Sequence, residues 1–315
     1  MKTVAILGAG GIGRHHANWW RVEGAEVVAI LGRSDESVAR SADKLHGMFG
    51  FAGRTFTDLD TLLRETRPAI VDVCTPAPLH FDQARRALQG GHDVLCEKPL
   101  VFDPALDHQT LLAQAGELVA LAGDSRRLGL CSQFSIAART CRELLQGRDP
   151  APLQRIAMEL RSPVRGRSPD PSQTWIDLGP HLVAALQTLL PGAEPAWETL
   201  RVTASGHNAD LEFTMPAADG GDAVAVHLAV GFTTGDPANV RRITLNRTPF
   251  DLLGENGPDG LFRMRYRSGD KIDEARPDPM RLLIREYLAG RPPLGSGEAL
   301  RNQRWLLMFH AACRA

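Results

Sequence analysis

The chain has 315 residues, 43% of them hydrophobic and 23% charged, the composition of a soluble globular protein too long for one ordinary core, so two domains are expected. Its 36 basic and 37 acidic side chains leave a net charge of −1, which argues against nucleic acid or an anionic membrane as a standing partner. Five scattered cysteines (Cys74, Cys96, Cys131, Cys141 and Cys313) show neither a CxxC pair nor Cys/His ligand spacing, so reduced thiols, a cytoplasmic location and no metal are expected. Met1 and Lys2 lead directly into a strand, so no signal peptide is expected, and no apolar run approaches membrane-spanning length.

The β-branched run Thr3–Leu7 reads as a buried parallel strand, followed by Gly8-Ala9-Gly10-Gly11-Ile12-Gly13 and a helix through Arg14 to Val22. A G-x-G-x-x-G pattern between a strand and a helix predicts dinucleotide binding. Gly8 permits the tight turn, Gly10 lets backbone approach a pyrophosphate, Gly13 allows close helix–strand packing, and the loop with Gly11 and Ile12 faces the phosphates. The second strand, Glu26–Leu31, ends at Gly32-Arg33-Ser34-Asp35. An NAD site usually carries an acid here, whereas Arg33 and Ser34 suit a 2′-phosphate, so the cofactor is expected to be NADP or NAD, with NADP favoured.

Helices through Asp35–Leu45 and from Asp58 flank a short strand near 53–55, and Pro68–Cys74 is the fourth strand. It breaks at Thr75-Pro76-Ala77-Pro78, a helix follows to Gln89, and Gly90-Gly91 ends that helix. The run from His92 to Leu95 leads into Cys96-Glu97-Lys98-Pro99, where Pro99 restricts Lys98 to extended backbone at a strand's carboxyl end, the side on which open α/β sheets bind ligands. A helix from Asp103 to Ala122 and a strand from Leu128 to Gln133 complete six strands alternating with helices, a doubly wound parallel sheet over residues 1–135.

Three segments in this half, GAGGIGRHH, TPAPLH (Thr75 to His80) and GGHDVLCEKPL (Gly90 to Leu100), together resemble the glucose–fructose oxidoreductase / inositol dehydrogenase (Gfo/Idh/MocA) family. The resemblance is dense over 1–135 and thinner to the chain's end. It implies that Thr75, Pro76 and His80 form the loop beside the nicotinamide, and that Glu97 and Lys98 border it, while a helix-start His80 making only backbone bonds fits the same residues. The tandem His15-His16 is read as helix residues at the domain surface, and Trp19-Trp20 as packing.

From Leu153 the pattern changes: Arg155–Arg161, Thr199–Gly206, Val224–Thr233 and Val240–Leu245 have period-two character, with shorter strands at Phe250–Leu253 and Leu261–Tyr266. Turn-rich segments at 217–221 and 254–258 separate them, and helices near 279–289 and 297–312 end the chain. A second α+β domain, residues 136–315, built on a large, mostly antiparallel open sheet is expected. The resemblance implies a subunit interface on that sheet, hence a homo-oligomer.

Within Trp175–Leu182, Pro180 is tolerated only in a helix's first turn, which predicts a helix over Leu182–Leu190 with Asp177 and His181 flanking its start. There the helix dipole disfavours charge on His181 and the Asp177 carboxylate favours it. A capping aspartate beside an unreactive histidine fits the same residues. The family's D-x-x-x-H motif, partner to the lysine of E-K-P, falls on Asp177 and His181, so the resemblance implies Lys98 and His181 as a proton relay with Asp177 orienting His181. Whether Lys98 or His181 is the primary base stays open, because crevice burial and His181 would lower the lysine's usual value near 10.4 while Glu97 would raise it. The family often has Asn where Ala77 stands and an acid where Ala184 stands, which bears on contacts to nicotinamide and substrate. The expected activity is NAD(P)-dependent hydride transfer at a hydroxyl or carbonyl carbon of a sugar, polyol or similar small molecule. Two alternatives are a catalytically silent dinucleotide-binding sensor and a reductase of a non-sugar carbonyl, imine or tetrapyrrole.

Overall fold

The fold is given by a computed structural model that describes residues 1–216, 221–237, 239–269 and 271–314. The chain forms two compact units, one of residues 1–132 with 280–303 and one of 133–279 with 304–315. The expected turn at 217–221 lies, but for Gly221, outside the described residues.

In the first unit the elements alternate as expected: β1 (Thr3–Leu7), α1 (Gly13–Val22), β2 (Glu26–Leu31), α2 (Asp35–Phe49), β3 (Arg54–Phe56), α3 (Leu59–Thr66), β4 (Ile70–Val73), α4 (His80–Gln89), β5 (Asp93–Glu97), α5 (His108–Ala122) and β6 (Leu128–Cys131). The strands are all parallel, in the order β3-β2-β1-β4-β5-β6, the doubly wound dinucleotide-binding arrangement. The side chains of β1, β4, β5 and β6 are almost wholly buried, and β1 and β6 read as apolar runs, whereas β4 buries Asp72 and the edge strand β3 exposes Arg54 and Thr55. Capping sets the boundaries the periodicity left vague. Helix α2 runs four residues past Leu45 and stops at Gly50 (φ 73°). Helix α5 starts at His108, not Asp103, because Asp107 accepts from Thr110 N–H at 2.7 Å whereas Asp103 closes a preceding turn onto Ala105 N–H.

The second unit contains α6 (Gln133–Gln146), β7 (Arg155–Pro163), α7 (Pro171–Leu189), β8 (Ala196–Ser205), β9 (Asn208–Met215), β10 (Val224–Thr233), β11 (Val240–Leu245), β12 (Thr248–Asn256), β13 (Phe262–Ser268) and β14 (Ile272–Pro277), followed in sequence by α8 (Pro279–Leu288) and α9 (Ser296–Arg314). One eight-stranded sheet runs β14-β13-β12-β11-β7-β10-β9-β8, antiparallel except where β7 pairs with β10. Three elements were not expected: α6, where the strand was taken to continue into Gln133, and β9 and β14. In β9 the signal is present, since Ala209, Leu211, Phe213 and Met215 are buried at period two. The turn expected at 254–258 begins later, because Gly254 to Asn256 pair with β13 and the chain reverses over 257–260.

Helix α7 corrects the reading of Pro180. It starts eleven residues earlier than expected, capped by Asp170, whose carboxylate accepts from the Ser172 and Gln173 N–H groups (2.9 and 3.0 Å), with Pro171 in its first turn. Pro180 lies inside the helix, so Asp177 and His181 occupy mid-helix positions and the dipole argument for His181 falls away. The core behind this helix is aromatic: Trp175 and Phe213 stack against Phe309, with centroids 5.4 and 5.2 Å apart, and Trp175 Nε1–H donates to the Leu306 carbonyl at 3.2 Å.

Candidate active site

The glycine loop is pinned where it leaves β1. Gly8 N–H donates to the Leu31 carbonyl at 3.0 Å and Cys74 N–H to the Leu7 carbonyl at 2.8 Å, drawing the loop against the carboxyl ends of β2 and β4. Gly8 has φ +89°, and a Cβ there would lie 2.9 Å from the Cys74 carbonyl oxygen. A Cβ on Gly13 would lie 2.5 Å from the Gly8 carbonyl oxygen. Gly10 and Gly11 differ: the nearest atom to a Cβ on Gly10 is Ser41 Oγ at 3.8 Å, and nothing lies within 4 Å of one on Gly11. Internal packing therefore accounts for Gly8 and Gly13, while bare backbone at Gly10 and Gly11 fits an anionic group held close to their N–H groups. The start of α1 carries no acidic side chain, so its positive dipole end is uncompensated, and Ile12 stands 45% exposed beside it.

A cleft of about 530 Å³ opens from this loop, lined among others by Gly8, Gly10, Arg33, Ser37, Thr75 and Leu79. Among the described residues no carboxylate lines it, while Arg33 and Ser37 do. Ser34, expected as a ligand, is the N-cap of α2: its Oγ accepts from Ser37 N–H at 3.3 Å. Ser37, Ser41, Thr57 and Gln83 were not singled out from the sequence, where nothing distinguishes them from ordinary helix and loop residues.

Across the sheet, Pro76 begins the loop that carries a short 3₁₀ turn, Ala77–Leu79, and Thr75 Oγ1 donates to Gln83 Oε1 at 2.7 Å. His80 does not face the cleft. Its ring is buried and reaches the Pro99 carbonyl from Nδ1 (2.8 Å) and the Thr75 carbonyl from Nε2 (2.7 Å), tying this loop to the segment after β5. Burial pushes the His80 imidazole below its ordinary value, against these two carbonyls. Lys98 follows the carboxyl end of β5, half-buried, and its peptide bond to Pro99 is cis. Glu97 turns inward instead of bordering the cleft: it is buried, and Oε2 accepts from the Lys98 N–H at 3.2 Å.

His16 is a second correction. It is not at the surface but fully buried, with Nδ1 2.9 Å from Asp72 and Nε2 3.2 Å from Glu97. Trp20, one turn on, donates from Nε1 to Asp72 Oδ2 at 2.6 Å.

In the second unit, Asp177 and His181 are one turn apart on α7 and share a helix face. Gln173 donates from Nε2 to Asp177 Oδ1 at 3.2 Å, and Arg167 Nε lies 3.5 Å from Oδ2. The Arg167 guanidinium is itself seated 4.4 Å over the Phe232 ring. The His181 ring stacks on Phe134, centroids 5.0 Å apart.

Residues 2–123 match a model of the oxidoreductase family with the NAD-binding Rossmann fold, the glucose–fructose oxidoreductase / inositol dehydrogenase group. The match spans β1 to α5, the greater part of the dinucleotide-binding unit. Over 134 residues it is 31% identical to a 4-carboxy-2-hydroxymuconate-6-semialdehyde dehydrogenase of Sphingobium, an alignment spanning 42% of this chain and 41% of that protein. Over 245 residues it is 29% identical to a UDP-N-acetylglucosamine 3-dehydrogenase of Acidithiobacillus ferrooxidans, covering 77% of this chain and 71% of that one. An inositol dehydrogenase homologue from Azotobacter vinelandii, solved with NADH and myo-inositol, superposes over 99% of this chain and 95% of its own with a TM-score of 0.71 at 15% identity, which establishes the shared fold. No helix among the described residues is long and apolar enough to cross a membrane.

Proposed function

We propose that this chain transfers a hydride between NADP or NAD and a hydroxyl-bearing carbon of a sugar, polyol or related small molecule. The observation that carries the reading is a half-buried lysine, Lys98, at the carboxyl end of β5 in a sheet whose Gly10 and Gly11 leave a cradle free of side chains. In this reading the backbone N–H groups of 10–13 hold the pyrophosphate, Thr75 and Pro76 border the nicotinamide, and Arg33 takes a 2′-phosphate, which favours NADP. When bound, the nicotinamide supplies the hydride acceptor. Lys98 and His181 handle the proton of the substrate hydroxyl, and Asp177 orients His181, a division of labour that rests on the family's motifs and is consistent with the shared helix face of the last two. A homo-oligomer through the eight-stranded sheet and a cytoplasmic location complete the reading, the latter supported by five unpaired cysteines.

The test is reduction of NADP⁺ or NAD⁺ against a panel of hydroxylated substrates, followed at the nicotinamide absorbance, for wild type and Lys98→Ala. Loss of turnover by about 10²–10⁴ with cofactor affinity retained is expected. Turnover unaffected by the substitution sinks the assignment of Lys98.

A further inference from the structure

Beneath the cleft lies a cluster of ionisable groups that the reaction as outlined does not use. His16 of α1 sits between Asp72 and Cys74 of the β4 end, Glu97 of β5 and Cys131 of β6, with Met280 of α8 closing the far side at 3.3 Å from the Cys131 sulfur. His16 and Asp72 are wholly buried and Glu97 is 8% exposed. All four carboxylate oxygens accept a hydrogen bond. Asp72 Oδ1 faces the Cys74 thiol at 3.4 Å, and Oδ2 faces His16 Nδ1 and Trp20 Nε1–H. Glu97 Oε1 faces His16 Nε2, and Oε2 takes the Lys98 amide. Each ring nitrogen of His16 faces a carboxylate oxygen and also a thiol sulfur, Cys74 Sγ at 3.2 Å from Nδ1 and Cys131 Sγ at 3.9 Å from Nε2, and an imidazolium donates to both carboxylates at once. Two buried carboxylates without that cation would be an uncompensated pair of charges.

We propose that His16 is a charged clamp between Asp72 and Glu97 and, through the Glu97 carboxylate, a positioning residue for Lys98; this rests on the reading of Lys98 as a proton-handling group. The clamp spans the sheet at the β1/β4 switch point: α1 begins at the glycine loop and reaches His16 within its first turn, so one short helix ties the cofactor cradle to the strand end that carries Lys98. Glu97 accepts the amide of the next residue, so a shift of its carboxylate moves the Lys98 backbone. The protonation state agrees with the geometry. Burial opposes the imidazolium, but its interactions with Cys74 and with Asp72, which also hydrogen-bonds it, hold its pKa well above 6.5. Burial pushes the Cys74 and Cys96 thiols well above their ordinary value and the Cys131 thiol up to about 12. His80 of α4 also feels Glu97 and is lowered by burial, and His15, next in the chain, is lowered as well, by burial first.

Two measurements on the full chain with NADP⁺ bound decide the matter. The first is nitrogen-15 NMR of the histidine rings from pH 5.5 to 9. Both His16 nitrogens are expected in the protonated range throughout, and in Glu97→Gln the ring is expected to begin titrating inside that window; a neutral His16 in wild type at pH 7 overturns the proposal. The second is His16→Gln, which keeps one donor and removes the charge. Amide exchange at Lys98 is expected to quicken at least tenfold, and kcat to fall on the order of 10²-fold with substrate KM and cofactor Kd within about threefold, the signature of a misplaced reacting group. Unchanged Lys98 exchange, or a kcat change that only follows lost cofactor binding, overturns it. The NMR arms need no turnover, so an inactive wild type would fail the proposed reaction while still deciding the role of His16. If His16→Gln does not fold, Glu97→Gln carries the same exchange test at Lys98.

Discussion

The contrast between Gly10 and Gly13 gives the most direct test of the cradle. In Gly13→Ala the new methyl would sit 2.5 Å from the Gly8 carbonyl oxygen, about 0.9 Å inside the 3.4 Å at which ordinary contact begins. The obstacle is backbone, already hydrogen-bonded through Gly8 N–H to Leu31, so it cannot swing aside as a side chain would. Overpacking of this kind costs about 1–3 kcal/mol, and the gain of up to about 1 kcal/mol for alanine over glycine in a helix offsets part of it. A net loss of about 1–2 kcal/mol follows, read as a lower midpoint in urea and roughly 2–4 °C in Tm. Gly10→Ala meets only Ser41 Oγ at 3.8 Å, so its stability should stay within about 0.5 kcal/mol of wild type. Its methyl would instead stand where the pyrophosphate approaches, raising the cofactor Kd about 10- to 100-fold, or roughly 1.4–2.8 kcal/mol. Calorimetric titration with NADP⁺ and NAD⁺ beside a urea melt separates the two effects. Wild-type cofactor affinity in Gly10→Ala, or equal destabilisation by both substitutions, would refute the reasoning.

Other predictions concern the ribose end and the buried cluster. Arg33→Ala should weaken NADP⁺ about tenfold or more and leave NAD⁺ within about twofold by the same titration, since only the phosphate loses its guanidinium; equal losses for both cofactors would remove Arg33 from the 2′ site. Asp72→Asn takes the charge from a fully buried partner of His16 and should destabilise by about 3–5 kcal/mol in urea, far more than any exposed ion pair. Because the His16 pKa is raised on folding, its contribution is complete below about 6.5, the ordinary value, and is lost as pH rises through the folded value, so stability should decline on the alkaline side. His80 is lowered on folding and works in the opposite sense, its contribution being lost as pH falls. Urea midpoints across pH for wild type and His16→Gln check both: the alkaline slope should flatten in the variant and the acid slope remain.

Much of the first unit is legible because its signals are local. Five-residue β-branched runs, the spacing of Gly8, Gly10 and Gly13, and the aspartate that caps α3 act within a few residues of themselves. Pro180 shows where a local rule misleads. Proline removes one helix donor and usually marks a first turn, yet the Asp170 cap, Pro171 at the first helical position and the packing of Trp175 against Phe309 outweigh that loss, and the helix continues through it. The capping signal at Asp170-Pro171-Ser172 stood in the sequence and was the better guide to the start.

The roles of His16 and Glu97 were not legible, for a physical reason. His16 meets Asp72 across 56 residues and Glu97 across 81, distances that only the strand order β1-β4-β5 closes. By itself, the sequence determined an alternating dinucleotide-binding sheet, a glycine loop whose backbone must stay bare, and a lysine held at a strand end by a proline, all consequences of short-range backbone sterics and hydrophobic periodicity. Tertiary structure decided which polar residues share the buried space beneath that loop, because charge state and hydrogen-bond partners depend on what lies within about 4 Å after folding. A histidine beside another histidine on a surface helix and a histidine gripped by two carboxylates are the same letters in the chain.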